Sequence, residues 1–259
     1  MAQRPADGQS ILEVLNETAT AVRRALDGLD DWGLAGTRPG QYRSDLVSDE
    51  AALDVLEAAG VGVVSEESGE HHPERAVVVV VDPVDGSTNA SRGLPWFATS
   101  LCALDSAGPL AALVVNQATG DRFDAVRGAG ARRNGVAIRP TACTSLDAAL
   151  VAVNGFPARH LGWKQFRALG AAALDLCAVA SGSLDAYVDC TQRSHGPWDY
   201  LGGLLVCEEA GAVVLDVFGE QLVVRGHGER RTPLAAATRQ LAERLLEARQ
   251  TASSASPAG

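Results

Sequence analysis

The 259-residue chain is predicted to fold as a mixed protein, α+β in its first half and α/β in its second. Three observations predict it. Two helical stretches precede a strand-rich middle of short apolar runs between turn signals. After about residue 145, strand and helix patterns alternate. The run "AVVVVV" (Ala76–Val81) has the length and β-branched composition of a buried strand.

The elements follow in order. Ser10-Ile-Leu-Glu13 reads as a capping box, and Ile11, Leu12, Leu15, Val22 and Leu26 keep one helical face as far as Gly28. Residues 33–44 read as a loop. "SDEAALDVLEAAG" reads as a second helix, capped by Ser48 or Asp49 and stopped by Gly60. Val61–Val64 is a short strand ending at "SEESGE"; a polar loop over 68–75 leads to the valine strand. "PWFATSLCALD", "LAALVVNQ" and "DRFDAVRG" read as strands, and "GAGARRNG" as a glycine-rich turn. In the second half, "ALVAVNG" is a strand, "KQFRALGAAALDLCAVASG" a helix, and "SLDAYVDC" a strand. "PWDYLGGLLVCEEAG" is a helix with Pro197 in its first turn, "AVVLDV" a strand, and 234–249 an amphipathic helix. The predicted organisation is a flexible segment 1–9, an α+β subdomain 10–140, an α/β subdomain 141–249, and a disordered tail 250–259 of small polar residues.

Composition excludes several classes of function. Hydrophobic residues make up 46% and charged residues 21%, as in ordinary globular proteins. The net charge of −10 argues against nucleic acid or an anionic membrane as partner, and requires cations wherever an anionic substrate is to bind. The apolar runs are too short to span a bilayer, and "MAQRPADGQS" lacks a signal-peptide core. Five scattered cysteines without a C-x-x-C pair suit a reducing cytoplasm better than a disulfide or zinc framework.

The acidic residues sort by position. Glu66 and Glu67 follow one strand, Asp82 and Asp85 another, and Asp199 stands in the first turn of the helix after Pro197. Taken singly, each has a plain reading: a solvated loop, a Pro-Asp-Gly turn, an acid favoured by a helix dipole. A turn does not explain a buried strand delivering two acids to one spot. Divalent metal does, because hard cations take carboxylate and carbonyl oxygens. Asp82 could bridge two ions, with the Val84 carbonyl serving one and Asp85 the other. Gly86, Ser87 and Thr88 offer N–H groups and hydroxyls to phosphate oxygens. The haloacid-dehalogenase arrangement, which also ends a strand in aspartates, needs a spacing of two; here the spacing is three with Pro83 between.

"DPVDGSTN" resembles the D-P-[IV]-D-G-[ST]-x-N signature of the inositol monophosphatase family of Mg²⁺-dependent, lithium-sensitive phosphatases. "SEES", "GAGARRNG" and "PWDYLGGLLVCEEAGAVV" resemble its other motifs, in order, from about residue 10 to 248. The resemblance implies a layered αβαβα sandwich of the inositol monophosphatase/fructose-1,6-bisphosphatase type, commonly dimeric, and direct attack by metal-activated water without a phospho-enzyme. It implies two Mg²⁺ ions per site, with a third as the upper count. Glu66, Asp82 and the Val84 carbonyl look like ligands of the first metal and its water; Asp82, Asp85 and Asp199 look like ligands of the second. Gly86 and Ser87 match phosphate-binding positions. The family pairs that hydroxyl with an aspartate; here the segment "SDLVSDE" is shortened, and Asp49 or Asp45 stands for it.

On the substrate side, Gly170, Ala171 and Ala172 match positions lining the sugar pocket, and Asp189 stands where a Glu often faces substrate hydroxyls. The connection "CTQRSHGPWD" is longer than in typical members; His195 in it reads as a surface loop residue, and Arg193 as solvated or as a substrate contact. Arg38 or Arg43 replaces a usual lysine. The expected activity is hydrolysis of a small polyol phosphate, inositol monophosphate by default. Histidinol phosphate, adenosine bisphosphate and fructose bisphosphate are rivals within the family, and a non-catalytic metal- or polyol-binding regulator is the rival of another class.

Overall fold

The computed structural model describes residues 7–254. Helix α1 (Gly8–Asp27) starts two residues before the expected capping box, because the Asp7 carboxylate accepts from the Gln9 N–H and caps it first. Of the segment expected to be flexible, Gly8 and Gln9 are helical and 1–6 lie outside the described residues. Helix α2 (Arg43–Ala58) also starts early. Asp45 in its first turn accepts from the Tyr42 N–H at 2.8 Å, so Ser48 and Asp49 are buried inside the helix rather than capping it.

The first sheet has eight strands: β1 (Gly62–Ser65), β2 (Gly69–His71), β3 (Val78–Asp85), β4 (Ala98–Asp105), β5 (Gly108–Asn116), β6 (Arg122–Val126), β7 (Ala131–Arg133) and β8 (Val136–Ala137). Their order is β2-β1-β3-β4-β5-β6-β7-β8. The polar loop 68–75 thus contains β2, and the glycine-rich turn contains β7; each is held by antiparallel pairing to a neighbour. β1 and β3 run parallel, with Ser65 opposite Val81, so Glu66 and Asp82 emerge side by side. The short helix α3 (Ser87–Ser91) follows β3.

The second sheet holds β9 (Leu150–Asn154), β10 (Gln165–Arg167), β11 (Ala186–Asp189), β12 (Val213–Asp216) and β13 (Pro233–Ala236), in the order β10-β9-β11-β13-β12. The helix expected across 164–182 divides into β10 and α4 (Ala172–Ala180), because Gly170 at φ +85° cannot continue a right-handed helix and β10 pairs with β9. The last helix begins later than expected. Pro233–Ala236 form β13 between β11 and β12, and α6 spans Arg239–Ser254. The tail expected to be disordered is therefore helical to Ser254, and 255–259 lie outside the described residues.

Alternation along β3 builds the layers. Val79 and Val81 pack with Leu15, Val22 and Leu56 of α1 and α2. Val78 and Val80 face the opposite way, toward Leu174, Leu176, Leu201 and Leu204 of α4 and of α5 (Pro197–Ala210). Ala152, Tyr187 and Ala235 of the second sheet close that same core. On the far face, Val151, Val188 and Leu234 pack with Leu241 and Leu245 of α6. The result is a five-layer αβαβα sandwich, each sheet buried on both faces by helices.

Candidate active site

The parallel pair β1–β3 and the first turns of α4 and α5 converge on one point. β3 reaches it through a register slip against β4 between Asp82 and Asp85, which lets one strand present both acids. Asp82 is 2% exposed, and its Oδ1 accepts from the Val84 N–H at 3.0 Å. The Thr99 hydroxyl donates to the Pro83 carbonyl at 2.9 Å and pins the bulge. Asp85 is 7% exposed and accepts from the Ala173 N–H, in the first turn of α4, at 2.8 Å. Asp199, in the first turn of α5, accepts from the Gly196 N–H at 2.6 Å. Glu66 donates its N–H to the Val81 carbonyl at 3.1 Å, which sets it beside β3.

Carboxylate oxygens of Glu66, Asp82 and Asp199 all lie within 4.8 Å of one another. Among the described residues, the positive charges of His195 and Arg230 offset only part of the repulsion at Asp199. Burial, then the charges of Asp199 and Glu67, push Glu66 up to about 8. Burial first, then Glu66, Asp85 and Asp199, raise Asp82 well above the carboxylate range; burial and Asp199 do the same to Asp85. Burial raises Asp199 too, against the opposing pull of His195 and the Gly196 N–H. Such a set fits a hard divalent cation: the donors are all oxygen, and a cation removes the penalty that burial imposes.

This electrostatic state has a measurable consequence. A carboxyl whose folded pKa is raised stabilises the folded chain while it stays protonated. That contribution is complete below the ordinary carboxyl value and is lost as pH rises through the raised one. In EDTA, the thermal midpoint is expected to fall between pH 5 and about pH 8, the value Glu66 reaches. Mg²⁺ should restore the midpoint at pH 8 and do so less at pH 6, where protons compete for the same oxygens. A midpoint indifferent to both pH and Mg²⁺ would contradict this reading of the cluster.

Two cavities with no lining residue in common open onto the cluster. One, of about 320 Å³, is lined by Arg38, Asp45, Glu66, Ser87, Trp198 and Arg230 among others. Its cations are held in place: Arg38 bonds Glu67, and Arg230 lies 5.0 Å over the Trp198 ring. His227 stacks on the other side chain of this group, Trp198, at 4.8 Å, with Nε2 3.3 Å from the Glu66 carbonyl. The second cavity, of about 200 Å³, is lined by Asp85, Asp199, Asp175, His195 and the 170–172 backbone.

Several candidates from the sequence take different places. Asp49 bonds the Ser65 hydroxyl, whereas Asp45 shares the larger cavity with Ser87. Arg43 pairs with Asp31, so of the two candidates Arg38 is the one at the site, where it shares the cavity with Arg230. Arg193 pairs with Glu220 at 3.0 Å and lies over Phe218. His195 is not a surface residue: it is 7% exposed, with Nδ1 2.9 Å from Asp189 Oδ2 and Nε2 3.1 Å from the Tyr187 hydroxyl. The longer connection folds inward because Asp189, fully buried, needs that partner. Asn154 and Thr191 donate to its other oxygen at 3.0 and 2.6 Å. Asp189 therefore supports His195 and does not line the cavity. Gly170, Ala171 and Ala172 do line it. Sequence reasoning missed Asp175, although its signal was visible: it is the one acid in a helix whose nine residues are all buried.

The chain matches the sequence profile of the inositol monophosphatase family over residues 43–254. It is 33% identical over 252 residues to the fructose-1,6-bisphosphatase/inositol-1-monophosphatase of Archaeoglobus fulgidus, covering 93% of this chain and 98% of that one. It is 34% identical over 173 residues to the Nus factor SuhB of Escherichia coli, covering 61% and 63%. A solved Pyrococcus horikoshii structure, described as similar to inositol-1 monophosphatase, superposes with a TM-score of 0.81 at 26% identity, covering 93% and 96%.

Proposed function

The chain belongs to the inositol monophosphatase family of phosphoric monoester hydrolases, and on that premise we propose that it hydrolyses a small polyol phosphate in a Mg²⁺-dependent reaction. The observation that carries this reading is the buried cluster of Glu66, Asp82 and Asp199, with Asp85 beside it. Glu66, Asp82, Asp85, Asp199 and the Val84 carbonyl would hold the ions, two per site. When bound, divalent ions neutralise the cluster, draw in phosphoryl oxygens and acidify the attacking water.

The chain's own residues supply the rest. The Gly86 and Ser87 N–H groups and the Ser87 hydroxyl hold phosphate oxygens, and Glu66 takes the proton of the water. The cavity with Arg38, Asp45 and Ser87 delivers that water. The cavity beyond Asp85 and Asp199 receives the alcohol, in line with the attack. No helix among the described residues is long and apolar enough to cross a membrane. All five cysteines are unpaired, which suits a reducing cytoplasm. A homodimer belongs to the same proposal.

The test is phosphate release from inositol 1-phosphate, histidinol phosphate, fructose 1,6-bisphosphate and glycerol 2-phosphate, each with Mg²⁺ and with EDTA. The expected result is release that requires Mg²⁺ and is inhibited by Li⁺. The similarity to a Nus factor favours a second, non-catalytic reading. Mg²⁺ binding by calorimetry with no release from any ester would select it.

A further inference from the structure

The smaller cavity has a composition that bears on the alcohol it receives. Its ionisable lining consists of Asp85, Asp175, Asp199 and the imidazole of His195. Asp85 and Asp199 belong to the carboxylate cluster. Both nitrogens of His195 are engaged, one by Asp189 and one by Tyr187, so its charge is matched by a buried carboxylate before any ligand arrives. Asn154 spends a side-chain N–H on Asp189 as well.

Asp175 stands apart from all of these. It is 2% exposed, on a helix buried along its whole length. The Trp96 indole N–H donates to its Oδ1 at 3.0 Å and fixes the carboxylate. Its Oδ2 has no donor among the described residues. Burial pushes Asp175 up to about 8, and a cationic donor at Oδ2 would offset that penalty. The arginines near the site, Arg38 and Arg230, line the other cavity.

Resting on the phosphatase reading, we propose that Asp175 is a specificity residue for the leaving alcohol: the substrate is a phosphate monoester of a hydroxylated alcohol that carries a protonated amine, and the ammonium is held by Asp175 Oδ2. Hydroxyl donors would satisfy the same oxygen, but only an ammonium also brings the opposite charge that favours the ionised form of a buried carboxyl. Trp96 positions the carboxylate.

The experiment compares matched esters that differ only in amine against hydroxyl: 2-aminoethyl and 2-hydroxyethyl phosphate, 3-aminopropyl and 3-hydroxypropyl phosphate, and glucosamine 6-phosphate and glucose 6-phosphate. Each is assayed with Mg²⁺ on the wild type and on Asp175→Asn, with p-nitrophenyl phosphate as a reference lacking either group. The expected result is a kcat/KM at least about tenfold higher for the amine in the pair whose length reaches Asp175. Asp175→Asn should abolish that preference and leave p-nitrophenyl phosphate within about twofold. Equal kcat/KM for amine and hydroxyl in every pair of the wild type overturns the proposal without any variant. Equal losses on all substrates in Asp175→Asn also overturn it, since they assign Asp175 a structural role through Trp96. No Mg²⁺-dependent release from any ester, the reference included, overturns the phosphatase reading and this inference with it.

Discussion

Asp82→Asn is expected to lower Mg²⁺-dependent phosphate release about a thousandfold or more. The residue belongs to the acidic cluster, with carboxylate oxygens of Glu66 and Asp199 within 4.8 Å of its own, and with them would hold an ion. Asparagine keeps the size of the side chain and an oxygen able to accept from the Val84 N–H, so the bulge of β3 stays intact. What it removes is charge. If ions lose several kcal/mol of their capacity to stabilise charge on the transferring phosphoryl group, the rate falls by about that factor. The substitution acts on stability in the opposite direction. In the metal-free chain it removes one of several repelling buried carboxyls, so the midpoint in EDTA should rise by about 2–4 °C. The further rise that Mg²⁺ gives the wild type should disappear. Lower activity together with a lower midpoint in EDTA would instead make Asp82 a structural residue. Release within about tenfold of wild type would remove it from the metal set.

The parts of this site that converge through local chemistry were legible in the sequence. A valine run that ends in Asp82 and Asp85 needs no partner to be noticed, and Pro197 announces the helix start that carries Asp199. Pairing between distant segments was not legible. Pro233–Ala236 continue directly into a helical pattern, and only their place between β11 and β12 makes them a strand. The extent of α4 was overestimated because Gln165–Arg167 have no intrinsic reason to leave a helix; the edge of the second sheet takes them. His195 looked like a loop histidine because the feature that buries it is a carboxylate six residues earlier, itself fully buried. Asp45 and Asp49 are both buried on one helix, and only the register of α2 against β1 decides that Asp49 meets Ser65 while Asp45 shares a cavity with Ser87.

Gly86→Ala should reduce both activity and stability, through a single methyl group. Gly86 lies between Asp85 and Ser87 at φ +87°, where an L-residue pays about 1–2 kcal/mol. A Cβ there would stand 3.1 Å from the Gly170 carbonyl oxygen, the Trp96 carbonyl oxygen and the Ala171 Cβ. Two of those three are backbone atoms, which cannot rotate away. The Asn89 side chain ties the same two segments together, donating to the Trp96 and Leu169 carbonyls at 2.7 Å each, so the cradle resists opening. Overpacking of this kind adds about 1–3 kcal/mol, for a total loss of roughly 2–5 kcal/mol by chemical denaturation. Relief at two of the three contacts requires moving the 170–171 segment, and with it the start of α4, away from β3. That movement lengthens the bond from the Ala173 N–H to Asp85 and shifts the wall of the leaving-group cavity. A displacement near 1 Å costs about a hundredfold in kcat/KM. The loss should be similar for every ester, amine-bearing or not, because Gly86 acts on the phosphate end they share. Full activity in a destabilised variant would separate this turn from the chemistry and leave Gly86 with a folding role alone.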